Sequence, residues 1–418
     1  MFFRRGRLRA GQARSWLLDL FNHQYQWWLR TPIRNLLARD DRVCFLCSLA
    51  LMVDHIGQGL YLLNQRKPPA SFDRDGVPPW FGPDLGEAIT DFSLVPDHLA
   101  ERLREILTLD DPVLSEVEGR RLMIELMGLF LSQGRKKEET PLPWLDGISP
   151  PEVEELVALE PDSSQTMNLA RRAVRIVWRL PGGWMTALTG SGAAGMADQS
   201  SDVDIVVYSD QLADEAVRRS LVGATSDGHQ DATHLTQKRY ARDVFWLDGR
   251  MIDVRYYLLE DLKRLVEHPI PHSRLEKEML AQLDNLNALY DPTLVMLNVL
   301  DPPDIRRAFQ GVRAERLNAE TSRLDEALAR LSGSSEHGPA RLHATVEVIL
   351  ALFDLLAARN DRWIAFPRWT AAWLERLDAA PPDAQERLMG VAATPFRHET
   401  TVAKAATLRA LASEVRAL

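Results

Sequence analysis

The chain has very little cysteine. Cys44 and Cys47 are the only two in 418 residues. No second pair of cysteines or His-x-x-His motif follows them to complete a zinc site, and two residues cannot form a disulfide framework. Because the pair lies in the apolar stretch 43–53, we expect two buried thiols. The lack of disulfides favours a reducing, cytoplasmic location.

Long hydrophobic runs and a secretory signal are also lacking. The best membrane candidate is the stretch 43–53, which Asp54 and His55 end after eleven residues. A bilayer span needs about 20 apolar residues. The basic segment Met1–Arg9 has no adjacent apolar region or cleavage site. We therefore expect no membrane partner.

The chain has no excess of positive charge. Its net charge is -9, so a nucleic-acid partner would need a local basic patch and is not favoured. An acidic balance suits a cationic small molecule better. With 45% hydrophobic and 26% charged residues, the composition is that of a globular protein. Its length suggests two or three domains.

Hydrophobic spacing divides the chain into three zones. Residues 1–150 form a helical N-terminal region, residues 151–302 mix helices with strands, and residues 303–418 are helical again. We therefore predict an α+β fold, in which a small mixed β-sheet domain is flanked by two helical regions. In the last zone, the clearest predicted helix covers residues 342–356.

The middle zone contains the signals for a sheet. Asp248-Gly249 between two apolar runs indicates a two-residue hairpin turn. The predicted elements are, in chain order, a helix over 167–180, strands over 184–188 and 203–208, and a hairpin of strands 244–247 and 250–257.

The candidate chemistry begins with a Gly190-Ser191 turn and two carboxylates, Asp202 and Asp204. Ten residues separate Ser191 from Asp202. Alternate side chains of a strand share a face, so both carboxylates point to one side. Such a pair can bridge two Mg²⁺ ions about 3.5–4 Å apart. The backbone N–H groups and hydroxyl of the turn can cradle a triphosphate.

A third carboxylate is expected on a neighbouring strand. Asp253 is the one carboxylate in the strand after the hairpin turn. Ile252, Val254 and Tyr256 alternate with Met251, Asp253 and Arg255 there. Asp253 is therefore predicted to join the two aspartates on the polar face.

The combined pattern resembles the DNA-polymerase-β-like nucleotidyltransferase superfamily, and within it the small-molecule, aminoglycoside-type branch. That branch often reads Gly-Ser-x-Ala-Arg-Gly and then Ser-Asp-x-Asp. Beyond Gly190 and Ser191, the matching residues are Ala193, Gly195, Ser201, Asp202 and Asp204. The resemblance covers roughly 130 residues of the core, with a looser likeness towards the C-terminus. It does not account for the first 150 residues.

The resemblance implies a nucleotidyltransferase that moves a nucleoside monophosphate from a triphosphate to an acceptor hydroxyl and releases pyrophosphate. Asp202, Asp204 and Asp253 would be the catalytic and metal-binding residues, with Mg²⁺ or Mn²⁺ as cofactor. Gly190, Ser191 and Ser201 would bind the nucleotide, for which ATP is expected. The acceptor would be a small molecule.

One position departs from the pattern. Ala194 occupies the position of the branch's usual arginine, a phosphate contact. Lys238, Arg239 or Arg242, before the hairpin, could supply the missing charge. The substitution leaves the three aspartates in place and puts triphosphate affinity in question.

Two alternatives stay open. The chain could be a regulatory, antitoxin-like module that modifies or binds a protein or tRNA, with degenerate catalysis. For the acceptor side, Glu347 or Asp354 could be a general base. The favoured interpretation is that they are solvated helix charges, with His343 in a surface pair.

Overall fold

A computed structural model describes residues 8–30, 33, 35–68, 91–132, 142, 162–180, 183–224, 233–291, 302–334, 338–364 and 369–418. The chain divides into two compact units. One, the helical unit, comprises residues 1–157, 320–355 and 367–418. The other, the sheet unit, comprises residues 158–319 and 356–366. The boundaries proposed from the sequence at residues 150 and 302 stay predictions.

The helices of the described residues are named in chain order. Before the sheet they are α1 (Ala10–Leu20), which runs into a π-helical turn (Phe21–Tyr25), α2 (Gln26–Arg30), α3 (Asn35–Ala38), α4 (Arg42–Leu63), α5 (Leu99–Thr108), α6 (Pro112–Ser132) and α7 (Ser163–Val177). Those between strands are α8 (Gly190–Ala193), α9 (Glu215–Gly223), α10 (Leu259–Glu267) and α11 (Arg274–Asp284). After the sheet come α12 (Pro302–Gly311), α13 (Arg313–Gly333), α14 (Pro339–Arg359), α15 (Thr370–Leu374), α16 (Ala384–Ala393) and α17 (His398–Ala417).

Six strands form one mixed sheet, which confirms the predicted α+β fold. They are β1 (Gly183–Leu188), β2 (Val203–Ser209), β3 (Thr233–Thr236), β4 (Tyr240–Leu247), β5 (Arg250–Leu258) and β6 (Asn287–Tyr290). Their spatial order is β3-β4-β5-β2-β1-β6. β2 and β5 pair in parallel, and the other neighbours pair antiparallel.

The hairpin of β4 and β5 confirms the turn predicted from Asp248-Gly249. Both residues have positive φ, 52° for Asp248 and 71° for Gly249. This is the conformation of a type I′ turn, which matches the right-handed twist of the strands it joins. The turn sets the register that places Val244 opposite Asp253.

The two faces of the sheet differ in character, as the period of two in β2 and β5 predicts. Val203 and Ile205 belong to the core beneath α7, together with Ile252 and Val254. The opposite face packs on α10 and α11 through apolar residues such as Val206. Asp204 and Asp253 alternate with the first core and therefore lie on that opposite face.

The helical unit is built around α4. Its first turn is capped by Asp41, whose Oδ1 accepts a hydrogen bond from the backbone N–H of Cys44 at 3.2 Å. Cys44 and Cys47 are buried and form no disulfide bond, as expected. The apolar run 43–53 is only part of this helix, which continues through Asp54, and the carboxyl of Asp54 is buried. By length and composition α4 could cross a membrane, yet most of its apolar part is buried inside the protein.

Glu347 and Asp354 of α14 are buried, so the interpretation that they are solvated helix charges is wrong. Glu347 accepts a 2.6 Å bond from Arg330, and Asp354 accepts one of 2.6 Å from Arg323. Both carboxylates are buried against α13. His343 is buried too, and burial lowers its pKa to about 3. These groups join helices to each other, and no contact of theirs indicates a general base.

Candidate active site

Asp204 and Asp253 are direct neighbours. The parallel pairing of β2 with β5 places the two residues in register, on the same face of the sheet. The side chain of Asp204 is 15% exposed and that of Asp253 is 1% exposed. The predicted grouping of these two carboxylates is therefore present in the structure.

Two arginines hold the carboxylate of Asp253. Arg242 donates from Nε to Oδ1 at 2.8 Å and from Nη2 to Oδ2 at 2.9 Å. Arg255 donates to Oδ2 from Nη2 at 2.8 Å and from Nε at 3.2 Å. Both oxygens of Asp253 thus accept charge-assisted hydrogen bonds, the stronger kind in proteins.

These contacts control the ionisation of Asp253. Burial by itself would raise the pKa of its carboxyl. The positive charges of Arg255 and Arg242 outweigh that effect and hold the pKa well below its ordinary value. In the same way, the charge of Asp253 raises the pKa of Arg242. All three groups are ionised at neutral pH.

Arg255 connects further carboxylates to this pair. Its Nη2 lies 3.6 Å from Oδ1 of Asp204, and its Nη1 lies 3.7 Å from Oε2 of Glu278 on α11. α11 is fixed by Ser273, whose hydroxyl accepts from the backbone N–H of Glu276 at 3.2 Å. The site therefore contains a guanidinium surrounded by three carboxylates.

The Gly190-Ser191 turn lies against Asp204. Gly190 has a φ of 62°, and a methyl group at this position would overlap Oδ2 of Asp204. The backbone N–H of Thr189 donates to the backbone carbonyl of Asp204 at 2.9 Å. Glycine is required here for two reasons, its positive φ and the close approach of the backbone to a carboxylate.

The loop before Asp202, residues 198–201, is held in place by hydrogen bonds from Arg250. Arg250 donates to the carbonyl of Ser201 at 2.7 Å and to that of Asp198 at 2.9 Å. Its Nη1 also reaches Oδ2 of Asp162 at 3.1 Å. Asp202 itself is partly exposed. No hydrogen bond or ion pair engages its carboxylate among the residues described.

The hydroxyl of Ser201 is used within this loop. It donates to Oδ1 of Asp198 at 3.1 Å and accepts from the backbone N–H of Asp198 at 3.0 Å. Its predicted contact with a nucleotide stays a prediction.

The three candidates for the charge missing at Ala194 lie in different places. Arg242 reaches Asp253, as described above. Arg239 instead pairs with Asp261 and Glu260 at the start of α10, at 2.6 Å from each. Lys238 is exposed. Only Arg242 contacts one of the predicted metal-binding residues.

A divalent cation fits the chemistry of this site. Carboxylates are the hard oxygen ligands that Mg²⁺ prefers, and the backbone at Gly190 passes close to the carboxylate of Asp204. Within the described ranges, no three His, Cys, Asp or Glu side chains are gathered closely enough to hold a metal as they stand. In this structure the positive charge next to Asp253 comes from the guanidinium groups of Arg242 and Arg255.

Arg255, Glu278 and Arg250 were not identified as site residues from the sequence. The place of Arg255 in the site could have been predicted from the sequence, because it lies two positions after Asp253 on the same strand and shares its face. Glu278 had none, since only the packing of α11 brings it near β5. The role of Arg250 depends on a loop whose path the sequence does not specify.

A second buried ion pair lies on the other face of the sheet. Arg218 of α9 contacts Oδ2 of Asp243 at 3.0 Å, and both side chains are fully buried. Nδ1 of His234 lies 2.7 Å from Oδ1 of Asp243. This group ties α9 and β3 to β4.

Of the three comparisons with known proteins, the one with solved structures found similar chains. Neither a protein-family model nor a curated protein matches the chain. A spectinomycin adenyltransferase from Enterococcus faecialis, solved with ATP and spectinomycin, is 14% identical, with a TM-score of 0.31. The likeness covers 61% of this chain and 100% of the adenyltransferase.

A nucleotidyltransferase-like protein from Exiguobacterium sibiricum 255-15 is 10% identical, with a TM-score of 0.25. The likeness covers 59% of this chain and 74% of that protein. Because both TM-scores are low, the function is inferred from the site itself.

Proposed function

We propose that the protein is a metal-dependent nucleotidyltransferase that moves a nucleoside monophosphate from a triphosphate, ATP in the first instance, to a hydroxyl of a small molecule. The observation that carries this proposal is the pairing of Asp204 with Asp253 on adjacent parallel strands, beside the Gly190 turn. We further propose that it works in the cytoplasm, in keeping with the lack of a disulfide framework in its sequence.

The supporting argument is electrostatic. Two carboxylates side by side repel each other unless a cation lies near both. In this structure Arg255 supplies that charge. Asp202, two residues before Asp204 in the sequence, is proposed as a further ligand. Such a concentration of carboxylates is what a site for a divalent cation and a triphosphate requires.

In the proposed reaction, the residues of the chain bind and orient. Asp202, Asp204 and Asp253 would hold Mg²⁺ or Mn²⁺, and the Gly190-Ser191 turn would seat the phosphates. When bound, the metal would neutralise the charge that develops on the α-phosphate and lower the pKa of the acceptor hydroxyl. The acceptor oxygen forms a bond to the α-phosphorus as the bond to pyrophosphate breaks. Its proton leaves to solvent or a base.

The test is transfer of label. The protein is incubated with Mg²⁺, a fractionated cell extract and each of the four ribonucleoside triphosphates in turn, labelled at the α-phosphate. We expect label from one of them to enter a small-molecule fraction, and excess EDTA to abolish the transfer. The same protein with Asp204→Asn is the control. Label that persists in EDTA would contradict the metal-dependent mechanism, and label in protein or tRNA would change the acceptor.

A different surface favours the second candidate, a module that binds or modifies tRNA. Arg171, Arg175 and Arg179 recur every four residues along the exposed side of α7 and the turn after it. In the part of the chain that is described, no carboxylate pairs with them. This basic stripe spans about 12 Å at 1.5 Å per residue.

The stripe is the local basic patch that a polyanion would need on an acidic protein. The test is binding of labelled tRNA at several salt concentrations, with Arg175→Gln and Arg179→Gln compared with Arg172→Gln, whose charge is already paired with Asp248. Salt-dependent binding that the first two variants weaken would support this candidate. No binding at low salt would remove it.

A further inference from the structure

The arginine pair at Asp253 has an arrangement that its structural role does not require. β4 and β5 place Arg242 directly opposite Arg255. Like charges opposite each other on neighbouring strands destabilise a sheet. Here the repulsion is offset because both guanidinium groups bind Asp253 and one also approaches Asp204. The two arginines therefore depend on the carboxylates that we propose as metal ligands.

Binding of a divalent cation would disrupt this arrangement. A cation held by Asp204 and Asp253 would compete with the guanidinium groups for the same carboxylate oxygens. Arg242 and Arg255 would then face each other with less negative charge beside them. Among the described residues, Glu278 would remain 3.7 Å from Arg255. Their positive charge would need a new anionic partner beside the metal. A triphosphate, which binds next to the metal, is such an anion.

We propose that Arg242 and Arg255 exchange partners during binding: they hold Asp253 and Asp204 in the nucleotide-free protein and bind phosphate oxygens once the metal and triphosphate arrive. They would supply the phosphate contact that Ala194 cannot make. This inference rests on the proposed function and deepens it by assigning two phosphate-binding residues. Arginine suits the role because its planar fork binds carboxylate and phosphate groups in the same bidentate way.

The proposal predicts opposite effects on two ligands. Removing one arginine removes a competitor for the carboxylates, so metal alone should bind more tightly. The same change removes a phosphate contact, so triphosphate should bind more weakly in the presence of metal. A purely structural role would not produce this pair of opposite shifts, since loosening the site weakens both ligands together.

The experiment measures binding to the full chain. Mn²⁺ alone is titrated by electron paramagnetic resonance, and inorganic tripolyphosphate is titrated by calorimetry at saturating Mg²⁺. Tripolyphosphate has no base, so an unknown preference for a nucleobase does not interfere. For Arg255→Gln and for Arg242→Gln we expect Mn²⁺ affinity to rise at least about threefold and tripolyphosphate affinity to fall at least about tenfold.

Two further variants make the comparison sharp. Arg172→Gln removes a charge from α7, where the side chain is about half exposed and pairs with Asp248, and should change neither affinity. Arg255→Lys keeps the charge without the fork. It should weaken tripolyphosphate binding less than Arg255→Gln, and it tests the proposal if the glutamine variant does not fold in a thermal melt.

The outcomes separate this inference from the proposed function. A wild-type protein that binds neither Mn²⁺ nor tripolyphosphate would overturn the proposed function. A wild-type protein that binds both, with arginine variants that weaken both ligands or change neither, would overturn the exchange of partners and leave the proposed function standing.

Discussion

At the scale of single residues, the site depends on charges that are buried beside one another. Asp253 is nearly inaccessible to solvent and neutralises two arginines. Breaking a buried ion pair by removing one partner leaves a charge without compensation and costs about 3–5 kcal/mol. Asp253 is therefore expected to contribute to the stability of the sheet unit as well as to chemistry.

Asp253→Asn is predicted to lower both the catalytic turnover and the stability of the protein. We expect turnover to fall at least roughly 100-fold, a few kcal/mol in barrier, while triphosphate affinity changes less than about tenfold. We also expect a clear loss of stability in chemical denaturation. The control is Asp248→Asn in the turn of the same hairpin, where Asp248 forms a half-exposed ion pair with Arg172 of α7. It should change turnover and stability little. Near-normal turnover in Asp253→Asn would remove this residue from the site.

The pH dependence of that stability has a definite sign. The pKa of Asp253 is depressed in the folded protein, because the charges of its two arginines outweigh the effect of burial. Its stabilising contribution is therefore present above the unfolded pKa of about 3.9 and is lost as the pH falls below it. Acid titration of unfolding should show this loss in the wild type and not in Asp253→Asn.

Gly190→Ala is predicted to disturb Asp204 through contact. The new methyl group would overlap the carboxylate, so we expect Mn²⁺ affinity to fall at least about tenfold. The control is Gly249→Ala, which also has a positive φ but meets no atom within 4 Å. It should lose about 1–2 kcal/mol of stability to backbone strain and keep its metal affinity. Equal metal affinity in both alanine variants would contradict the role of Gly190.

How far the sequence predicts the site depends on the residue. The alternation of apolar and polar residues in β2 and β5 was enough to place Asp204 and Asp253 on the polar positions of their strands. This alternation follows from the geometry of the strand itself and does not depend on how the sheet packs. The partners of Asp253 could not be predicted, since an arginine on a strand can pair along the strand, across it or with a helix. Arg242 on β4 pairs with a residue of the neighbouring strand, whereas Arg239, just before β4, pairs with the first turn of a helix.

At the scale of secondary-structure elements, the loop before β2 depends on one side chain from β5. Arg250 bonds to two carbonyls of the loop and to Asp162 and Thr166. Arg250→Lys keeps the charge, but one ammonium group cannot reach all four partners. We expect a loss of about 1–3 kcal/mol for each buried group left without a bond, and faster amide exchange over residues 198–202.

The effect of Arg250→Lys should extend to Asp202, which follows this loop, and should lower Mn²⁺ affinity. Arg172→Lys, at an exposed ion pair in the same unit, is the control and should leave exchange in the loop unchanged. Normal exchange in Arg250→Lys would show that the loop is held by other contacts.

The buried Asp54 gives α4 a dependence on pH. Its Oδ2 accepts from Gln58 at 2.9 Å, and burial raises its pKa to about 8. The folded form therefore keeps a proton that the unfolded form loses above about pH 3.9. The resulting stability is fully present below that pH and is lost as the pH rises through about 8.

Asp54→Asn should remove this dependence. Between pH 5 and 8 we expect wild-type protein to lose on the order of 1–4 kcal/mol relative to the variant in urea denaturation. Asp40→Asn, at an exposed pair with Arg42, should follow the wild type. A parallel loss in Asp54→Asn would mean that another group titrates.

The elements predicted from the sequence were those with strong local signals. β1, β2, the hairpin of β4 and β5, and helices α7 and α14 were expected near their observed positions. β3 and β6 were not expected, because each has four residues and lies at an edge of the sheet, where one neighbour sets the pairing. The burial of the Asp54 carboxyl within α4 was not expected either, since a carboxyl usually lies outside an apolar core.

At the scale of the whole molecule, the helical unit is assembled from segments at both ends of the sequence. α16 packs against α4 within it, and the backbone N–H of Phe396 donates to the carbonyl of Leu107 at 2.8 Å. The described helices between residues 10 and 132 therefore do not bury their apolar surface by themselves. The unit requires chain from beyond residue 319.

Deleting residues 303–418 should consequently expose the apolar surface of α4. We predict that the shortened protein aggregates, as measured by sedimentation and dye binding to exposed apolar surface. Leu388→Ala, in α16, removes buried volume without shortening the chain and should cost about 2–5 kcal/mol while the protein stays soluble. A soluble, cooperatively folded product of the deletion would contradict this organisation.

The parallel pairing of β2 with β5 also has a consequence for the order of folding. The β4–β5 hairpin closes across two residues, and such local contacts form within microseconds. Joining β5 to β2 requires closure of the whole intervening chain, and such non-local pairings form slowly. That slow step is also the one that brings Asp204 next to Asp253. Until it is complete, the nascent chain has no joint carboxylate site, so the capacity to bind metal would arise only as the sheet closes.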